Sequence, residues 1–245
     1  MFKNLLKSES QKLLFHKWIW ITTIATVLFV PLMVYSLGAL GEETGIDLYI
    51  SKLLQSFYLG QVGVVVIAAL YFGQEFSNST LRTSLTAVPN RFRFLMSKFL
   101  CLMAWCMMTM LMSTAIAFIV LQCVFYADLD MNTIGTLINA LFPAYISSIE
   151  LCMITAGMII ISKSMVVSLA IMLSMLLGLG HLLMQYSSIM RFLPVLSTMN
   201  SFLLFHTNEY LPLWQGILCQ GVWGIGLVVI SNGVLRSSSY KGYEG

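Results

Sequence analysis

Residue types that carry catalysis are few in this sequence and lie far apart. The three histidines, His16, His181 and His206, stand in separate segments, and no H-E-x-x-H pair occurs. Metal hydrolysis needs several ligands at fixed spacing, so the sequence offers no ligand set for a catalytic metal. A G-x-S-x-G run, which presents the nucleophile of many serine hydrolases, is also missing. We therefore expect that the chain is not an enzyme, and an intramembrane enzyme is the least favoured interpretation.

Nucleotide and thiol chemistry are equally poorly represented. A phosphate-binding loop of the Walker type ends in Gly-Lys, and the sequence contains no Gly-Lys pair. The five cysteines lie inside apolar stretches without a C-x-x-C pair, which favours buried hydrophobic side chains over disulfides or metal ligands. We expect no metal and no cofactor on this chain, so that any ATP and Mg²⁺ driving its work bind to a partner.

The composition identifies the environment in which the remaining residues act. Hydrophobic residues make up 58% of the 245 positions and charged residues only 9%, whereas about a quarter of a soluble domain is charged. Because a spanning helix needs roughly 20 apolar residues, the length accommodates about six spans and no large soluble domain. The net charge of +3 is spread over short flanks, which excludes the basic stripe of a nucleic-acid binder.

Hydropathy along the chain predicts an all-α polytopic membrane fold. Residues 1–17 alternate lysines with apolar residues at near-helical spacing, which predicts an amphipathic helix in the membrane interface. A cleaved signal peptide is the rival interpretation of this segment, but the apolar run that follows is longer than an ordinary signal core. A six-helix transmembrane domain is predicted over 18–235 and a polar tail over 236–245. The six spans are predicted at about 18–40, 54–72, 99–126, 134–161, 165–186 and 213–235. Residues 187–212 have intermediate hydropathy, which is typical of re-entrant or surface-lying helices packed on protein.

Basic residues predict the orientation of these spans. Six spans place both termini on one side, and positive residues accumulate in cytoplasmic loops. With the termini inside, only Lys52 and Arg191 of the 13 basic residues fall outside. The cytoplasmic set is Lys3, Lys7, Lys12, Lys17, Arg82, Arg91, Arg93, Lys98, Lys163, Arg236 and Lys241. We therefore expect both termini in the cytoplasm.

One acidic residue falls near the middle of a predicted span. Glu150 lies in the fourth span, where an unpaired carboxylate costs at least a few kcal/mol in lipid. It is therefore expected to point inward. Two interpretations stay open: a polar group that lines or gates a substrate path, or a structural hydrogen bond to Ser147, Ser148 or a neighbouring helix.

The longest polar interruption lies between the second and third spans, at residues 73–98. It predicts a short helix over about 75–88, capped by Ser77 or Asn78, that ends at Pro89. Its apolar residues, Leu81, Leu85 and Val88, lie on one side of this helix. Such a helix is suited to docking into a groove on a partner protein. The alternative is a solvated loop with basic flanks.

This segment resembles the cytoplasmic loop of ABC-2 type exporter permeases. The resemblance rests on E-F-x-N-x-T-L-R from Glu75 to Arg82, followed by a proline, R-x-R and a lysine that opens a span. It implies that Glu75 opens a coupling helix and that residues 80–86 sit in the cleft of an ATPase subunit. The residues so implied in coupling to the ATPase are Glu75, Thr80, Leu81, Arg82 and Leu85. Ser79 stands where the family usually has a glycine.

The resemblance also implies an assembly and a function. It implies a transport subunit in a bacterial cell membrane that pairs with an identical or homologous second permease and a cytoplasmic ABC ATPase dimer. The small size is similar to permeases of bacteriocin or lantibiotic immunity and peptide export, which points to antimicrobial resistance. The implied cargo is a hydrophobic or amphipathic substrate such as a peptide. The alternative is a non-transporting immunity or sensor protein that binds a peptide ligand.

Overall fold

The computed structural model describes residues 2–39, 46–77, 91–125 and 131–237, and these residues form helices and short connections. The α-helices are α1 (Phe2–Phe15), α2 (Lys17–Ala39), α3 (Ile46–Ser77), α4 (Arg91–Phe125), α5 (Met131–Ser162), α6 (Met165–Ser174), α7 (Gly180–Tyr186), α8 (Pro194–Ser197) and α9 (Leu213–Ser237). A π-helical turn, Met175–Leu179, joins α6 to α7. Two 3₁₀ helices, Ser188–Phe192 and Met199–Phe202, flank α8.

Six of these helical stretches are long and apolar enough to cross a membrane. They are Lys17–Gly38, Asp47–Glu75, Phe92–Val124, Ile134–Ser162, Met165–Tyr186 and Leu213–Val234. The prediction of an all-helical, six-span membrane protein is therefore confirmed. The placement of α1 in the membrane interface stays a prediction, and residues 238–245 of the predicted tail lie outside the described residues.

Two helices extend beyond the boundaries that were predicted from the positions of their polar residues. The second span was expected to end at residue 72, but α3 continues to Ser77. The third was expected to begin at residue 99, but α4 begins at Arg91. The physical reason lies in Glu75 and Lys98, which pair with each other inside the bundle and so do not mark the membrane boundary.

The helices pack around α3 and α5. The helix α2 lies against α3 and α4, α5 lies between α3 and α9, and α1 packs on α4. Close approach of α2 to α3 depends on glycines, because a Cβ added at Gly63 would lie 1.9 Å from the Thr26 hydroxyl oxygen. Small residues at such crossings allow helix backbones to approach and gain van der Waals contact in the membrane.

The fifth span is broken at its π-helical turn. Gly178 has a φ of +131°, a backbone conformation that residues with a Cβ rarely adopt. A π-turn leaves backbone groups without their usual helical partners. Tyr58 of α3 supplies one partner, since its hydroxyl donates to the Leu176 carbonyl over 2.9 Å.

The connection between the fifth and sixth spans folds back onto the bundle. The Asn200 amide donates to the carbonyls of Thr207 and Leu211 at 3.1 and 2.9 Å, and its oxygen accepts from the Thr207 amide at 3.1 Å. Val195, Leu196 and Phe202 are buried, so this segment packs on protein through its short helices.

Candidate functional site

Charged residues from three helices meet at the end of the bundle where α3 ends and α4 begins. Lys98 Nζ of α4 lies 2.7 Å from Glu75 Oε1 of α3 and 3.6 Å from Glu9 Oε2 of α1. Lys12 of α1 lies 2.5 Å from Glu9 Oε1 and 3.4 Å from Glu75 Oε1. We call Glu9, Lys12, Glu75 and Lys98 the ion cluster. Its charges sum to zero.

Three members of the ion cluster are removed from solvent. Glu9 is 2% exposed, Glu75 7% and Lys98 1%, whereas 43% of the Lys12 side chain is accessible. Buried charges remain ionised only when opposite charges and hydrogen bonds replace their hydration. The ion cluster meets this condition because each carboxylate lies near both lysines.

Aromatic rings complete the environment of the buried lysine. Lys98 Nζ lies 4.3 Å from the centre of the Tyr71 ring and 5.3 Å from that of Phe72. The Tyr71 hydroxyl donates to Glu9 Oε2 over 2.7 Å. Cation–π attraction of this kind stabilises a desolvated ammonium group. Tyr71 thus contacts the lysine through its ring and the carboxylate through its hydroxyl.

The pKa values of the α1 members reflect this pairing. Burial alone would raise the pKa of Glu9, but the charge of Lys98 and the hydrogen bonds from Lys12 and Tyr71 outweigh it and lower the pKa. Burial alone would lower the pKa of Lys12, but Glu9 and Glu75 outweigh it and raise the pKa. Both shifts favour the charged forms, so the docked position of α1 and the ionised cluster stabilise each other.

The ion cluster lies at the base of the segment that was predicted to couple to an ATPase. Glu75 is in the last turn of α3, two residues before its end at Ser77, and is therefore part of the spanning helix. Lys98 lies in the second turn of α4. The other predicted coupling residues, Thr80, Leu81, Arg82 and Leu85, lie outside the described residues. A displacement of the connecting segment would thus act on a charged contact between α1, α3 and α4.

Sequence reasoning did not find three members of this arrangement. Glu9, Lys12 and Tyr71 were interpreted as parts of an amphipathic helix and an apolar span, and Lys98 was interpreted as a boundary residue. The sequence contained one signal for Glu9. It is the only acid in residues 1–17, and Lys12 follows three positions later, a spacing that brings the two side chains together on a helix. Nothing in the sequence indicated its partner 89 positions away.

Glu150 lies in α5, where that helix meets α9. A Cβ added at Gly221 of α9 would lie 3.0 Å from Glu150 Oε1. The Ser147 hydroxyl donates to Thr198 Oγ1 and the Ser148 hydroxyl to the Ala144 carbonyl, both over 2.8 Å. Neither serine therefore donates to the carboxylate. Within the described part of the chain, Glu150 Oε2 is buried without a hydrogen-bond partner.

The described histidine, cysteine and acidic side chains are spread over the structure. Across residues 2–39, 46–77, 91–125 and 131–237, no group of three or more histidine, cysteine, aspartate or glutamate side chains is placed to hold a metal ion. All five cysteines are free thiols. Two of them, Cys106 of α4 and Cys152 of α5, are buried with their sulfurs 3.2 Å apart.

Comparison with known protein families gives a match over most of the chain. The model of the family described as ABC-2 family transporter protein matches residues 5–179. This region begins inside α1, includes every member of the ion cluster and Glu150, and ends with the π-helical turn of the fifth span. No curated protein matches the chain.

Proposed function

The chain belongs to the ABC-2 family of transporter proteins, and we propose that it is the permease subunit of an ATP-driven exporter. Its cargo would be a hydrophobic or amphipathic molecule, such as an antimicrobial or other peptide, that leaves the membrane or the cell. The permease would pair with a second identical or homologous permease and two cytoplasmic ABC ATPase subunits. Both termini would face the cytoplasm of a bacterial cell.

The observation that carries this proposal is the ion cluster at the base of the segment between α3 and α4. A permease must convert a movement of its ATPase into a movement of its spans. Glu75 and Lys98 join the two helices on either side of this segment over 2.7 Å, and Glu9 joins both to α1. The helix α1 and the neighbouring ends of α3 and α4 are therefore arranged to move as one unit.

In the mechanism we propose, the ATPase pair closes on ATP and pushes the segment at 75–88. Because α3 and α4 are continuous helices of 32 and 35 residues, a push at one end is transmitted along their length as tilt. Tilting of these spans opens a central path to the outside. Glu150 would lie on this path. In this proposal Thr80, Leu81, Arg82 and Leu85 contact the ATPase, and Glu75 joins the coupling segment to the bundle through Lys98.

The test is purification of the full chain in mild detergent together with its genomic ATPase partner. Replacing both Leu81 and Leu85 by aspartate is expected to remove the ATPase from the complex, because it places charge on the apolar docking face. The unfolding temperature of the permease is expected to stay unchanged. Phe205→Asp is the control, since Phe205 is 77% exposed and lies beyond the fifth span, on the opposite side of the membrane.

Transport itself is measured with proteoliposomes that contain the complex and a fluorescent amphipathic peptide. We expect ATP-dependent movement of the peptide, with loss of movement in the double aspartate variant. A folded permease that binds the peptide but neither retains an ATPase nor moves the peptide would favour the non-transporting immunity or sensor protein instead.

A further inference from the structure

Glu150 places a carboxylate near the middle of a membrane span. The span runs from Ile134 to Ser162, so Glu150 is two residues beyond its midpoint, or about 3 Å along the helix axis. Lipid headgroups lie about 15 Å from the middle of a bilayer. A lipid headgroup at its normal depth therefore does not reach this carboxylate.

The described residues supply no positive charge to Glu150. The ion pairs of the ion cluster do not involve Glu150, and Glu150 Oε2 is buried without a hydrogen-bond partner among the described side chains. Glu75, by contrast, is buried and paired with Lys98. An uncompensated carboxylate at this depth costs several kcal/mol and is typical of a functional position.

The carboxylate lies where α5 meets α9. Because Gly221 has no side chain, Glu150 Oε1 lies close to the α9 backbone, and Glu150 and Gly221 are both only partly buried. Gly216 and Gly224 of α9 approach the Ser197 carbonyl and the Glu150 backbone, respectively. Gln220 lies on the same helical face as these two glycines.

Gln220 adds a second polar group without a partner, on the face of α9 that meets α5. Its side chain is fully buried, and neither its amide nitrogen nor its amide oxygen has a hydrogen-bond partner in the described structure. Buried amide groups are nearly always hydrogen-bonded, and each exception calls for an explanation. A ligand that is positively charged would supply the Glu150 carboxylate with the charge that the described residues do not.

We propose that Glu150 forms an intramembrane binding site for the protonated amine of a cationic amphipathic substrate. The inference rests on the proposed transport function and specifies its substrate class. A cation that crosses the membrane is dehydrated most fully at the midplane. The attraction of a carboxylate at that depth offsets the free-energy cost of this dehydration. The apolar part of the substrate would lie along the α5–α9 surface, where Leu218, Val222 and Ile225 are exposed.

The experiment measures binding of a fluorescent cation to the full chain in nanodiscs of zwitterionic lipid, together with any ATPase that co-purifies. The probe is a decylammonium ion that carries a dansyl group, and the matched neutral probe is dansyl-labelled decanol. Fluorescence anisotropy, corrected for empty nanodiscs, gives the two dissociation constants. The wild-type chain is expected to bind the cation at least about tenfold more tightly than the alcohol, a difference of about 1.4 kcal/mol.

Glu150→Gln removes the charge and keeps the shape of the side chain. It is expected to weaken cation binding about tenfold and to leave alcohol binding unchanged. Glu209→Gln, an exposed acid outside the spans, is the control and should change neither constant. Equal binding of both probes by the wild-type chain would overturn the proposal without any variant. An equal loss for both probes in a folded Glu150→Gln variant would also overturn it, since the loss would then reflect packing.

The assay needs neither ATP nor transport, so it separates this inference from the proposed function. Cation-selective binding without ATP-driven movement would retain the site and reject the exporter. ATP-driven movement of both probes without cation selectivity would retain the exporter and reject the site.

Discussion

Lys98 is the residue on which the ion cluster most depends. It is the most deeply buried of the four and contacts both carboxylates, at 2.7 and 3.6 Å. Without it, Glu9 and Glu75 share only Lys12, which is partly exposed to solvent. A buried ion pair adds little net stability compared with apolar packing, but an isolated buried charge is strongly destabilising. Removal of Lys98 is therefore expected to be destabilising because it leaves the carboxylates of Glu9 and Glu75 without their most buried counter-charge.

Lys98→Met is expected to lower the free energy of unfolding by about 3–5 kcal/mol, because two carboxylates then face one lysine. The double variant Lys98→Met with Glu75→Gln is expected to lose less, because it leaves Glu9 and Lys12 as a balanced pair. Denaturant unfolding of the chain in detergent micelles measures both. Independent, additive losses would show that the two side chains do not interact in the folded protein.

The Glu9 carboxyl makes the docking of α1 sensitive to acid. Its pKa is lowered in the folded chain, so its stabilising effect is complete above the ordinary glutamate pKa and disappears as the pH falls through the lowered value. We expect the stability difference between the wild type and Glu9→Gln to shrink as the pH falls from 7 to below about 4. Thermal unfolding over this pH range measures it. A difference that is constant with pH would contradict an ionised Glu9.

Alkaline pH is expected to weaken the same contact of α1 with the bundle, because it removes the charge of Lys12. The pKa of Lys12 is raised in the folded chain, so its contribution is complete below the ordinary lysine pKa and is lost as the pH rises through the raised value. The stability of Lys12→Met should therefore be closer to that of the wild type at high pH than at pH 7, as measured by thermal unfolding. Lys7→Met is the control, because Lys7 is exposed and lies on the same helix.

At the scale of elements, the helices are held by close approaches at a few glycines. The sixth span, α9, meets the folded-back segment at Gly216, where an added Cβ would lie 1.9 Å from the Ser197 carbonyl oxygen. Farther along the same helix, an added Cβ at Gly226 would meet no atom within 4 Å. The two glycines have the same helix propensity and differ only in their surroundings, so one helix contains both a test position and its control.

Gly216→Ala is expected to destabilise the chain by about 1–3 kcal/mol, because the backbone of Ser197 must move to admit a methyl group. Gly226→Ala should leave stability unchanged or raise it by up to about 1 kcal/mol through helix propensity. Unfolding temperatures of the two variants in the same detergent decide the matter. Similar shifts in both variants would contradict the close contact of α9 with Ser197.

At the scale of the whole molecule, contacts between distant elements agree with six passes of the membrane. The ion cluster joins α1 to the end of α3 and the beginning of α4. The turn after α5 lies at the same end, since a Cβ added at Gly73 of α3 would lie 2.9 Å from the side chain of Met165. The N-terminal helix and the connections after the second and fourth spans thus share one end of the bundle, as an alternating path requires.

We predict that this end is cytoplasmic, because it carries most of the basic residues. Alkaline phosphatase, which folds only outside the cytoplasm, is expected to be active when fused after residue 129. It should be inactive when fused after residue 245, where a fused green fluorescent protein should be fluorescent. The reversed pattern would place the segment at 75–88 outside the cell and reject its coupling to a cytoplasmic ATPase.

The sequence by itself determined the fold class and the number of spans. Lipid offers no hydrogen bonds to the backbone, so long apolar runs have to form complete helices, and their count follows from composition and length. The fourth and sixth spans were predicted within a few residues of α5 and α9. The same reasoning placed Glu150 near the middle of a span, because that statement depends only on position along one helix.

Only the tertiary structure decided which polar residues face one another. Glu75 and Lys98 appeared to be boundary residues because an isolated charge is too costly to bury, and the pattern along one helix does not reveal a neighbour that removes this cost. Glu9 meets Lys98 across 89 positions of sequence, and Glu150 meets Gly221 across 71. Such contacts depend on how each helix is rotated and which helix it packs against, and these are properties of the assembled bundle.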